Sequence, residues 1–68
     1  MAQVLYRFKN EKNGFSALVV VGTGYLAGKF GVSVWDDDAD MGRGFSTFYP
    51  SVDVAVAKAK AIAAEKSL

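Results

Sequence analysis

A run of valines leads into Gly22-Thr23-Gly24-Tyr25-Leu26-Ala27, which fits the pattern G-x-G-x-x-[G/A]. In a dinucleotide-binding turn, such glycines carry the chain from a buried strand to a helix N-terminus that holds a pyrophosphate. That chemistry requires a helix beginning near Gly24. The following residues, Tyr25 to Trp35, instead include Gly28 and Gly31 and then alternate with period two. Each glycine costs a helix roughly 1 kcal/mol relative to alanine. Too little chain remains for a full βαβ unit in a larger sheet. Gly22, Gly24 and Gly28 are therefore expected to form a flexible or bulged connection between strands, and no cofactor is expected.

Asp36, Asp38 and Asp40 have the alternate spacing of a calcium loop. Such a loop also needs glycine at its sixth position and glutamate at its twelfth, where Met41 and Thr47 stand. A solvated acidic turn is the expected role, with weak divalent-ion binding as the alternative. The chain contains no histidine and no cysteine. The commonest general base, thiolate chemistry and cysteine metal sites are absent with them. Serines without a histidine partner, and carboxylates confined to an open turn, lead to the expectation of a protein that is not an enzyme.

The third set of residues is aromatic and basic. Trp35 alternates with Phe30, Val32 and Val34, so it falls on the face of Lys29 and Ser33. Together with Arg7, Lys9 and Arg43, these residues would make a sheet surface of rings and cations. Bases stack on rings while phosphates meet cations, so such a surface suits single-stranded nucleic acid.

These residues must be positioned by four strands and a helix. Val4 to Lys9 alternates, and Asn13-Gly14 is a strong hairpin signal that leads into Phe15 to Val21. A two-residue turn there would pair Lys12 with Phe15, Phe8 with Val19 and Tyr6 with Val21. One face would carry Val4, Tyr6, Phe8, Ala17, Val19 and Val21; the other would carry Leu5, Arg7, Lys9, Leu18 and Val20. The expected strands run over about 3–9, 15–22, 29–36 and 44–49, with "DDDADMGRG" as a connecting loop and Pro50 ending the last strand. From Ser51 the period becomes helical to about residue 65. Ser51 is suited to cap this helix, and Val52, Ala55, Val56, Ala59, Ile62 and Ala63 form one stripe, with Lys58, Lys60, Glu65 and Lys66 off the stripe or near the end. The expected fold class is α+β: a single-domain antiparallel β-meander followed by one C-terminal α-helix, β-β-β-β-α.

At 68 residues and a net charge of +1, the chain affords a thin core and no overall electrostatic field. With no disulfide available, association with a second copy is the expected added support, hence a homodimer. The N-terminal "MAQVLYRFK" lacks a basic leader followed by an apolar stretch, and Ala17 to Val21 is too short to span a bilayer, so a cytoplasmic location without membrane contact is expected.

The run "KFGVSVWDDDADMGRGFSTFYPS", leading into a helix with an acidic first turn, resembles the single-stranded-DNA-binding transcriptional coactivators of the positive cofactor four type, especially their short bacterial members. The matching elements are Lys29-Phe30, Trp35, Met41-Gly42-Arg43-Gly44, Phe45 and Ser46, with Gly14-Phe15 opening strand two. The resemblance covers roughly residues 14 to 65. It implies a β-β-β-β-α homodimer gripping single-stranded DNA or RNA, with Lys29, Trp35 and Arg43 as contacts. Strand two departs from the family: Ser16 to Val20 carries no charge where the family has basic residues. The expected function is a small nucleic-acid-binding regulatory module whose contacts are Arg7, Lys9, Lys29, Trp35 and Arg43. The alternative is a protein-interaction module of a phage or other mobile element, docking a host protein through the sheet face bearing Leu18 and Val20 or through the acidic loop.

Overall fold

Period-two alternation becomes four antiparallel strands: β1 (Val4–Asn10), β2 (Phe15–Val21), β3 (Phe30–Asp36) and β4 (Met41–Tyr49). They pair in chain order and are followed by helix α1 (Val52–Ala63). The computed structural model describes residues 3–65, with only the backbone of Gly44 and Phe45. The expected positions of Lys66 and of the Phe45 side chain lie outside the described residues. Among the described residues, no helix is long and apolar enough to cross a membrane.

Ser51 caps the helix, its hydroxyl accepting the Asp53 amide at 3.2 Å, while Asp53 sits at the positive end of the dipole. The expected stripe is the face that meets the sheet. Ala55 and Ala59 are buried against Ala17 and Val19 of β2 and Val32 of β3, with Phe8, Phe30, Tyr49, Val56, Ile62 and Ala63 packed around them. Alanine on the helix and on the central strand allows close approach. At the sheet edge, Tyr6 stacks on Phe8 with centroids 6.2 Å apart, and the Lys60 ammonium lies 5.8 Å from the Phe8 centroid.

The first hairpin differs from the expected one. Asn10 pairs with Phe15, Phe8 with Ala17 and Tyr6 with Val19, so residues 11–14 form the turn and the register is shifted by two. A shift of two returns each side chain to its own face, which is why the facial assignment survives. The turn is set by Asn10, whose Oδ1 accepts the amides of Lys12 and Asn13, each at 3.0 Å, and by Gly14, whose φ is 67°. The turn between β3 and β4 repeats this scheme. Asp36 pairs with Met41, the Asp36 Oδ1 accepts the amides of Asp38 and Ala39, and Asp40 takes φ 55° at the position equivalent to Gly14. The two turns lie at one end of the sheet and are joined by the Asp37 amide donating to the Gly14 carbonyl at 2.9 Å. "MGRG", expected in the loop, therefore lies within β4.

The ladders have two irregularities, the first of which re-aims a side chain. A bulge between Val4 and Tyr6 pairs Val4 with Val20, moving Val4 from the helix side to the opposite face. In β4, Thr47 pairs with Val32 and Arg43 with Val34, so three residues of β4 face the single Ser33 between them.

At the other end of the sheet, the glycine-rich segment forms a short 3-10 turn at Gly24–Leu26 instead of an α-helix. A Cβ at Gly22 would lie 2.1 Å from the Leu26 carbonyl oxygen, so the close approach itself requires glycine. Gly24 and Gly28 have φ values of 62° and 86°. No α-helix begins in this segment, and Tyr25 is 95% exposed at the tip.

Candidate functional site

The helix covers one face of the sheet and leaves the other to side chains alone. Cross-strand pairing sets three rows on this second face: Lys9, Ser16, Trp35 and Gly42; Arg7, Leu18 and Ser33; and Val20, Gly31 and Phe48. Directly paired residues share a face, so these rows fix which side chains are neighbours.

Gly31 opens the third row. A Cβ there would meet Phe48 Cε2 at 2.8 Å and Val20 Cγ2 at 2.9 Å, so the missing side chain leaves the slot in which Phe48 rests against Val20. Leu18 and Val20 retain only 9% and 7% exposure. The chain's own aromatic side chain thus lies over Val20, which sequence alone would leave open.

Beside this covered region runs a groove of about 300 Å³ lined by Val4, Arg7, Leu18, Trp35 and Asp40. Its apolar wall depends on the β1 bulge, which brings Val4 to this face, and on Trp35, half-buried next to Gly42. A Cβ at Gly42 would stand 3.9 Å from the indole, so glycine leaves this flank of the ring uncrowded.

The polar wall is a connected network. Arg7 forms an ion pair with Asp37, and its Nε donates to Ser16 Oγ at 3.1 Å. Ser16 is fully buried and donates to the Asp37 carboxylate, with oxygens at 2.9 and 3.0 Å. Burying a hydroxyl requires such a partner. The network holds Arg7 against the sheet and neutralises much of its charge locally. Asp36 is occupied by its turn amides, and Asp40 is the acidic residue that lines the groove.

The expected contact set is therefore divided. Arg7, Lys9 and Trp35 share the helix-free face. Arg43 does not join them: Trp35 pairs with Gly42, so the next residue, Arg43, turns to the helix side beside Val34. Lys29 is exposed just before β3, outside the strand rows. Sequence reasoning missed Ser16, Asp37 and Phe48 as parts of the site, and placed Asp40 only in the acidic turn. A glycine inside a strand is a signal of close approach, and Gly31 is the local sign of the slot that Phe48 fills.

Among the described residues, no group of three or more carboxylates is arranged to hold a metal ion. Compared with protein-family models, curated proteins and solved structures, the chain has no match in any of the three.

Proposed function

We propose that this chain is a small, non-catalytic module that binds single-stranded nucleic acid on the helix-free face of its sheet. The observation that carries the reading is the grouping of half-buried Trp35 with Arg7 and Lys9 on the face the helix leaves open. An aromatic ring gives a base a stacking surface at almost any sequence, and neighbouring cations meet the backbone. Because Asp37 engages Arg7 and Arg43 lies on the other face, stacking contributes more than phosphate contact. Only one or two phosphates are then neutralised, and the slope of log affinity against log salt is about −0.7 to −1.4. The protein-docking alternative draws its motive from open Leu18 and Val20, and these are largely covered within the chain.

Regulation of transcription from a cytoplasmic location belongs to the same proposal. So does a homodimer, supported by Leu5 and Tyr6, exposed in succession on edge strand β1. Light scattering is expected to give about twice the monomer mass of 7.3 kDa; a single 7.3 kDa species at high concentration overturns the dimer.

Titration of a labelled twelve-nucleotide single strand at two salt concentrations tests the binding. Affinity stronger than about 100 μM at low salt, with the shallow slope above, is expected. Loss of the Trp35 ring in Trp35→Ala should cost roughly 1–3 kcal/mol. Weaker binding than that limit, or unchanged affinity in Trp35→Ala, rules the function out.

A further inference from the structure

We propose that the groove beside Trp35 accepts a single base and that Asp40 reads it, selecting a base with an exocyclic amino group over one without. This rests on the nucleic-acid reading above and specifies the ligand of the same site. The groove of about 300 Å³ has an aromatic wall in Trp35, aliphatic walls in Val4 and Leu18, and Arg7 and Asp40 as its charged lining residues. Arg7 is already engaged by Asp37 and Ser16, with its side chain 52% exposed. Asp40 makes no such side-chain bond among the described residues, and its carboxylate accepts hydrogen bonds only.

A second observation singles out Asp40. The two hairpin turns share one scheme, and the position that is Gly14 in the first is Asp40 in the second, at φ 55°. A side chain in this left-handed region is disfavoured relative to glycine. Aspartate is among the few residues other than glycine that adopt this region, and the turn sets Asp40 in the lining of the groove.

The chemistry of the acceptor defines the ligand. A carboxylate accepts from the N4 amino group of cytosine. Thymine presents a carbonyl at that position, and two acceptors facing each other repel. A base stacked on Trp35 with its edge toward Asp40 is thus discriminated by one charged hydrogen bond, which corresponds to a preference of roughly five- to tenfold. The same contact turns an anion near the binding face from a source of phosphate repulsion into a source of selectivity.

The test compares oligo-dC and oligo-dT of twelve nucleotides, using quenching of Trp35, the only tryptophan, as the readout. The wild type is expected to bind oligo-dC roughly five- to tenfold more tightly than oligo-dT, with Trp35 quenched by both. In Asp40→Asn, a substitution that tolerates the left-handed backbone, the preference should fall within about twofold as the amide supplies a donor as well as an acceptor. Equal wild-type affinities with normal quenching overturn the base-reading role and leave the binding function standing. A preference that persists in Asp40→Asn overturns the assignment to Asp40. If neither oligonucleotide binds, both the inference and the proposed function fall.

Discussion

Asn10 joins the first turn to the far end of the chain, and replacing it tests how that junction holds the fold together. Its side chain is 7% exposed and makes four hydrogen bonds: Oδ1 accepts two turn amides, and Nδ2 donates to the carbonyls of Ala63 and Glu65 at the end of α1. At roughly 0.5–1.5 kcal/mol net for each, the set contributes about 2–4 kcal/mol once partial rehydration is allowed for. A domain of this size has a total stability on the order of 3–5 kcal/mol. Asn10→Asp separates the two halves of the contribution. The carboxylate still accepts the turn amides but cannot donate, and it brings negative charge to helix carbonyls that are already the negative end of the dipole. We expect a loss of about 2 kcal/mol or more at pH 7, which moves the urea midpoint down by roughly 2 M at a slope near 1 kcal/mol/M, measured by Trp35 fluorescence and circular dichroism. The new carboxyl should have a raised folded-state pKa, because protonation restores one donor. Its stabilising contribution is then fully present below the unfolded carboxyl pKa and is lost as pH rises through the folded one, so the variant should recover stability on mild acidification. A variant within about 0.5 kcal/mol of wild type at pH 7, with no recovery in acid, would refute the claim that the helix end is held by Asn10.

Two glycines near one another should respond differently to alanine. Gly22→Ala places a Cβ against the Leu26 backbone carbonyl and should cost more than Gly31→Ala, where the obstructing atoms are the tip of Phe48 and a Val20 methyl; the latter is expected to cost about 1–3 kcal/mol, and a reversed order in urea denaturation contradicts the close-approach argument. Asp40→Gly should raise stability by up to about 1 kcal/mol by relieving the left-handed backbone, while abolishing the preference for oligo-dC; a destabilised variant would mean that the Asp40 side chain supports the turn itself.

Much of the fold was legible from side-chain periodicity. Alternation located the strands, the stripe from Val52 to Ala63 located the buried helix face, and Ser51 marked its start, because these features depend on residues close in sequence. Turn register was less accessible. Asn13-Gly14 signals a two-residue turn, but Asn10 captures the amides of Lys12 and Asn13 and makes a longer one. The facial error at Val4 has a similar source, since a bulge at Leu5 breaks an alternation that the sequence continues without interruption. Arg43 was misplaced because its face depends on Gly42 pairing with Trp35, a long-range register that the local pattern of β4 does not contain. The covering of Val20 by Phe48 likewise depends on three strands at once, with Gly31 as the only local sign.

The meander order of the strands has a kinetic consequence. Each strand pairs with the next one in the chain, so every ladder closes a short connection and no strand waits for a distant partner. Sheet formation is therefore dominated by near-neighbour encounters, which places this domain toward the faster end of mixed α and β folders. The helix is the exception. It must return across all four strands, and Asn10 closes a loop of more than fifty residues when it reaches Ala63 and Glu65. Docking of α1 is therefore the most non-local pairing in the fold.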